Sequence, residues 1–264
     1  MCEIACVSRG GYYKWLKCSS KQDKDYDGYL LIKKMYDKGK GKWGFRTIQM
    51  NLKTKMNHKK IIRIKNKYGL ITKIRRKNPY KSIMKKSIEH RTFENILDRQ
   101  FEQDIPNKIF CTDITYLPYN HKFAYFSAVK DIASGEIVGH NISEHLQMDI
   151  VLNTLKNLKG NLKDVIIHSD QGFHYTNPQY ISDVKKLDMV QSMSRKGNCI
   201  DNAPIESFFG HMKDDVDCKG CKTFGEISLM VEKYVRYYNT ERKQWKLKKM
   251  TPVQYRNHLL ESQK

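Results

Sequence analysis

Residues 108–118, KIFCTDITYLP, place a carboxylate inside a run that ought to exclude one. The run is β-branched and aromatic and reads as a strand. A buried acid there costs free energy unless the fold supplies a partner, so Asp113 constrains whatever packs beside it. Residues 122–130, KFAYFSAVK, alternate and read as a second strand, and 135–142 as a third, with Asp131 to Gly135 as the turn between them. Met148, Val151, Leu152, Leu155 and Leu158 then share one helical face. DVIIH, 164–168, reads as a buried strand, Asn177-Pro178 opens a helix as cap and first position, and 189–193 is a short strand. Helices follow at 203–216 and 226–239, and Thr251-Pro252 starts the last one. Three successive strands and then alternating helix and strand predict a mixed-sheet α/β core.

Two further acids hold positions suited to chemistry. Asp170, in IIHSDQG, directly follows the buried strand at its carboxyl end, where α/β sheets commonly build their sites. Glu206, in NAPIESFFGHMK, falls in the first turn of a helix. Any one of these acids alone serves equally well as a cap or an ion-pair partner. A strand acid, a strand-end acid and a helix acid that converge would instead bind hard divalent cations, Mg²⁺ or Mn²⁺, which take oxygen ligands. Two such ions can activate an attacking oxygen and steady a leaving one, with no covalent enzyme nucleophile. On the same helix Asn202, Glu206 and Lys213 are spaced to share a side, so Lys213 is expected to touch a phosphate near the metals. The loop carrying Arg195 and Lys196 leads into this helix and could hold or gate a DNA strand. His168, two residues before Asp170, is read as structural or as a substrate contact.

Charge divides the chain. Residues 1–100 hold 27 Lys or Arg against 8 Asp or Glu, a balance of +19; residues 101–264 hold 22 against 20, only +2. Concentrated basicity is the footprint of phosphate-backbone binding, and the segment lacks the amphipathic stripe of a membrane-surface helix. Residues 1–17 read as a short helix, a turn and a second helix capped by Ser8, with 18–27 as a linker. In 28–70, Ile32, Met35 and Tyr36, then Phe45, Ile48 and Leu52, then Ile61, Ile64 and Tyr68 define three helices, the last capped by Asn57 and closed by Gly69. Its opposite face carries Lys59, Lys60, Arg63 and Lys67, a helix-turn-helix-like arrangement for which DNA contact and a plain spacer are both open readings. Residues 71–104 read as a basic connector, ordered only on DNA. The expected domains are therefore 1–70 helical and DNA-binding, 71–104 linker and 105–264 catalytic.

Seven cysteines, at 2, 6, 18, 111, 199, 218 and 221, do not form a secreted disulfide framework. Cys218 and Cys221 make one C-x-x-C, half a zinc site with no second pair nearby to complete it. No stretch approaches the apolar length of a membrane span or a signal peptide, and the chain reads as soluble and cytoplasmic.

CTDITYL, IIHSDQGFHY, QSMSRKGNCIDNAPIESFFGHMK and YYNTERKQWKLKKMTPVQY closely resemble the retroviral-integrase-type core of bacterial insertion-sequence transposases, in order through residues 105–257. They are similar in particular to the second-reading-frame protein of the large family whose transposase is made by frameshifting. Between Asp170 and Glu206 stand 35 residues, matching that family's D,D(35)E signature. The resemblance implies an RNase H-like fold, Asp113, Asp170 and Glu206 as metal ligands, and Lys213 in contact with DNA beside the active phosphate. EIACVSRGGYYKWL resembles the start of the family's helical region. The leucine-zipper features of the first reading frame do not precede it, so the chain reads as the catalytic part, partnered by or fused to the first-frame protein and oligomeric on nucleoid DNA. The expected activity is end cleavage and strand transfer of an insertion sequence. A non-catalytic regulator of transposition and a stand-alone RNase H-type nuclease are the alternatives.

Overall fold

The computed structural model describes residues 6–19, 23–73, 92–195 and 199–262. The chain forms two compact units, Met1–Ile74 and Arg75–Lys264.

The first unit is all-helical. Helix α1 spans Arg9–Ser19, and Ser8 Oγ accepts from Gly11 N at 3.0 Å, the cap expected from sequence. The short helix expected before it falls largely outside the described residues. Helices α2 (Tyr26–Lys38), α3 (Phe45–Asn51) and α4 (His58–Lys67) pack on Ile32, Ile48, Ile61 and Ile64, all fully buried. Each such isoleucine contributes about 1.5–3 kcal/mol by leaving water. Asn57 Oδ1 accepts from Lys59 N at 2.9 Å and so caps α4. At its other end Gly69 takes φ +67°, Leu70 N bonds to Lys65 O and Gly69 N to Asn66 O. That double bond is the Schellman closure for which the left-handed glycine is needed.

The second unit is a five-stranded sheet in the order β3-β2-β1-β4-β5. Strands β1 (Ile109–Tyr119), β2 (Lys122–Asp131) and β3 (Ile137–Ser143) are antiparallel neighbours. Strands β4 (Ile166–Ser169) and β5 (Val190–Met193) add on in parallel beside β1. Tyr119 pairs with Lys122, which leaves a two-residue turn, Asn120-His121, with φ of 37° and 58°. Positive φ at both positions is the tight hairpin turn whose twist matches the strands, and Asn tolerates it. This is the mixed-sheet α/β arrangement expected.

Each face of the sheet has its own core. Helices α5 (Asp149–Lys156) and α7 (Pro178–Lys186), with the single turn α6 (Phe173–Thr176), cover Phe110, Val129 and Ile167. On the other face α8 (Ala203–Asp215) and α9 (Phe224–Thr240) cover Cys111, Leu117 and Phe126 with Phe208, Ile227 and Tyr238. Gly139 in β3 lets α5 approach, since a Cβ there would lie 2.8 Å from Leu158 Cδ2 and 3.1 Å from Thr154 O. Helix α10 (Pro252–Glu261) opens with Thr251 and Gln254 capping reciprocally.

The connector expected over 71–104 is corrected over its second half. Leu97 is buried in the α8–α9 core, Met193 N donates to Glu94 O, and Ile96 N donates to Ser192 Oγ at 3.0 Å. Residues 92–104 therefore belong to the sheet unit. Their polar composition concealed this because backbone groups and a partner more than 100 residues away hold them, not apolar periodicity. The first half of that connector, 74–91, lies outside the described residues.

Candidate active site

Parallel pairing of β1 with β4 matches Ile109 to Ile166, Phe110 to Ile167 and Cys111 to His168. The offset is 57 positions throughout, the same as the interval from Asp113 to Asp170. Extended two residues beyond the ladder, this register sets the two acids level on neighbouring strands. Side chains alternate along a strand, so Asp113 shares the face of Cys111, the face that α8 covers. Asp113 is half-buried and its Oδ1 accepts from Ile114 N at 2.7 Å. Asp170 is exposed, and its Oδ1 accepts from Gly172 N at 2.9 Å. A Cβ on Gly172 would fall 2.8 Å from that oxygen, so a side chain there would push the Asp170 carboxylate aside.

Helix α8 is fastened at its start. Asn202 Nδ2 donates to Thr112 O at 3.2 Å, and Lys130 Nζ donates to Pro204 O at 3.1 Å. Ile205, Phe208, Phe209 and Met212 are buried against the sheet, which leaves Glu206 exposed one turn beyond Asn202. The three acids thus lie on a strand, just past its neighbour's end, and on a helix hydrogen-bonded next to the first. Among the described residues no group of three or more His, Cys, Asp or Glu side chains is close enough to hold a metal ion. The donor chemistry of three carboxylates nevertheless suits a hard cation.

The remaining site candidates separate. Asn202, expected to face DNA, is buried and docks α8 instead. Arg195 has acidic partners within the protein: its backbone N and Nε both reach Asp201 Oδ2 at 3.0 Å, and Nη2 lies 3.1 Å from Asp98 Oδ1. Asp201 is fully buried and also accepts from Arg99 Nε at 2.7 Å and Asn95 Nδ2 at 3.2 Å. The Arg195 guanidinium, with Arg99, holds the Asp201 carboxyl well below the usual carboxylate range. Lys196 lies outside the described residues. Lys213 Nζ sits 4.9 Å from the ring centroid of Tyr116 on β1, a cation–π contact. In the helical unit Arg63 Nη2 is 2.6 Å from Asp25 Oδ1 and Lys67 Nζ is 2.7 Å from Asp23 Oδ2, so both expected DNA contacts carry acidic partners.

His168 resolves as structural. It is fully buried, with Nδ1 2.9 Å from Ser192 Oγ and Nε2 3.1 Å from Ser194 Oγ, and burial pulls its pKa down to about 4. Cys218 and Cys221 are buried free thiols; burial pushes Cys218 up to about 11, which makes it an unreactive core residue. Sequence reasoning passed over Tyr175. Its phenol is held well above its ordinary range by burial first, and further by the negative charges of both Asp113 and Asp170.

Residues 103–199 match the integrase core domain family, and 206–260 match a second integrase core domain family. The InsK protein of insertion sequence element IS150 from Escherichia coli strain K12, assigned as its transposase, is 34% identical over 262 residues, covering 95% of this chain and 90% of that protein. This chain belongs to the insertion-sequence transposases. A second member of the family, the transposase for insertion sequence element IS904 of Lactococcus lactis, is 30% identical over 80% of this chain and 86% of its own length. The catalytic core domain of HTLV-2 integrase, solved in complex with magnesium, aligns with a TM-score of 0.47 at 15% identity, over 58% of this chain and 97% of that one. Membership in the family brings DNA transposition as the general function, polynucleotidyl transfer as the class of activity, DNA as substrate and a general need for divalent metal. No described helix is long and apolar enough to cross a membrane.

Proposed function

We propose that this chain is a DDE transposase that hydrolyses a phosphodiester at the ends of an insertion sequence and joins the freed 3′-hydroxyl to target DNA. The observation that supports this reading is the offset of 57 in the β1–β4 ladder, which carried two residues further would bring Asp113 level with Asp170 beside the helix that bears Glu206. Asp113, Asp170 and Glu206 would hold two divalent ions, Mg²⁺ or Mn²⁺. When bound, such ions activate the attacking oxygen and stabilise the charge on the leaving oxygen.

The chain's own residues do the positioning. Gly172 N fixes one oxygen of Asp170, and Ile114 N fixes one oxygen of Asp113, which limits the rotation of each carboxylate. Asn202 and Lys130 hold the start of α8 against the sheet, which keeps Glu206 from drifting. Lys213, two turns further along α8, supplies a cation for a DNA phosphate. The basic segment before the sheet unit holds DNA ends by its charge. The first-reading-frame protein, or a frameshift fusion with it, supplies the rest of end recognition, and the working form is an oligomer on DNA in the cytoplasmic nucleoid.

The test is the Asp170→Asn protein assayed for cleavage and joining of duplexes that carry the element's own ends, with and without Mg²⁺. Both steps should fall by several orders of magnitude while DNA binding is retained. Metal-dependent cleavage that persists undiminished would refute the assignment.

A further inference from the structure

Beyond Asp113, strand β1 continues to Tyr119 with no partner in β4, whose ladder with β1 ends at the Cys111–His168 pair. The β1–β2 hairpin therefore projects past the sheet. On it, Tyr116 and Phe123 lie diagonally across the ladder, because Tyr116 pairs with Tyr125 and Phe123 with Pro118. Their rings meet edge to face at 5.7 Å and 87°. Both stay largely in solvent, 56% and 51% exposed, and Lys213 reaches from α8 to within 4.9 Å of the Tyr116 centroid.

Next to Phe123 is an open cleft of about 490 Å³ between the hairpin turn and the Cys218–Gly220 turn. His121, Lys122, Lys219 and Lys222 line it, and no carboxylate does. An edge-to-face pair that served only the hairpin would contribute a few tenths to about 1 kcal/mol and gain by covering its rings. These rings are instead left open between cations. Aromatic faces flanked by Lys are how proteins hold unpaired bases without regard to sequence: the base stacks and the ammonium groups meet the phosphates.

Position narrows the occupant further. Tyr116 is three residues past Asp113, about 10 Å along β1 and on the opposite face by alternation, while Lys213, seven past Glu206 and about 10 Å along α8, meets its ring. With about 3.4 Å between stacked nucleotides of one strand, this is about three nucleotides from the acids.

We propose that Tyr116 and Phe123 form a stacking platform for an unpaired DNA base about three nucleotides from the reacting phosphate, with Lys213 and the Lys122–Lys219–Lys222 cleft holding the adjoining backbone. The proposal rests on the transposase reading and adds to it a preference for frayed or tailed ends over fully paired ones.

The full-length protein is titrated in metal-free buffer with duplexes that are blunt or carry a short single-stranded tail, with a fluorescent adenine analogue placed at successive positions from the end. Quenching should peak at the analogue about three nucleotides from the reacting phosphate, and tailed duplexes should bind more tightly than blunt ones. The Tyr116→Ala/Phe123→Ala protein should lose the quench and bind tailed DNA about tenfold more weakly, the scale of one stacked base. Tyr116→Leu keeps the apolar bulk of the hairpin but removes the π face. It should show the same loss at an unchanged unfolding midpoint, whereas Tyr116→Trp should restore the quench. Equal affinity for blunt and tailed ends, or a quench unaltered in Tyr116→Leu, overturns the platform. Because this readout needs no cleavage, it fails or succeeds separately from the Asp170→Asn test of the activity itself.

Discussion

Asn202 donates its side-chain N–H to the backbone carbonyl of Thr112 at 3.2 Å, so the residue that starts the Glu206 helix is bonded to the residue that precedes Asp113. Two of the three acids are thereby linked by one hydrogen bond, with one peptide step on the Asp113 side and one helical turn on the Glu206 side. The other end of this coupling is a buried Asn202 Oδ1 that has no hydrogen-bond partner among the described residues.

Replacing Asn202 with Leu should therefore separate stability from activity. The lost bond is worth about 1 kcal/mol, and removing the unpartnered carbonyl offsets part of it. A shift of the helix by about 1 Å can cost on the order of 10²-fold in rate. The expected outcome is a thermal midpoint within a few degrees of the parent and a large fall in end cleavage, measured on the same preparation.

Asp201 predicts the opposite pattern. Its carboxylate is buried and accepts from Arg195, Arg99 and Asn95, which ties the segment before the sheet to the loop before α8. Asp201→Asn removes the negative charge and replaces one of its two acceptor oxygens with a donor facing the guanidinium groups. Both arginines are partly exposed, so water compensates for some of the loss, and the cost should be about 1–3 kcal/mol. A lower urea midpoint at unchanged slope would verify it.

Acid should weaken the sheet unit through His168. Its folded pKa of about 4 lies below the ordinary imidazole value of 6.5, so the unfolded chain binds the extra proton first as pH falls. The stability it contributes is whole above about pH 6.5 and is lost between there and about pH 4, up to about 3 kcal/mol. His168→Gln should flatten that part of a stability–pH curve recorded by chemical denaturation.

Lys213→Ala should reduce DNA affinity uniformly across sequences and lower the slope of log K against log salt by about 1, as expected when one phosphate contact is lost. Titrations at several salt concentrations read this directly. An unchanged slope would mean that Lys213 serves only the Tyr116 ring.

What could be read from one dimension was whatever depends on near neighbours. The strand around Asp113, the Asn57 and Asn177 caps, the Gly69 closure and the Thr251-Pro252 start all follow from residues within a turn of each other, and each is where it was expected. The segment 92–104 was misread because its anchors, Ser192 and Asp201, lie about 100 residues on. Arg195 resembled a DNA contact for the same reason: a charged side chain in a glycine-containing loop gives no sign that its partner is a buried acid six residues away. Spacing puts Asn202 on the side of Glu206 and Lys213, and nothing local to it announces the Thr112 carbonyl. Tyr175 could have been suspected only from an aromatic standing five residues after a strand-end acid.

The interval between Asp113 and Asp170 is fixed by the ladder and not by the length of chain that spans it. The match of Ile109 with Ile166 sets the level of each acid along its own strand. The crossover between β3 and β4 passes through an exposed stretch, Lys159, Gly160 and Asn161, where Gly160 has φ +95° and a Cβ would touch nothing. Residues inserted there would lengthen the count between the carboxylates without moving either one. That makes the loop a place to graft a tag, a fluorophore or a foreign DNA-binding module onto a working catalytic unit.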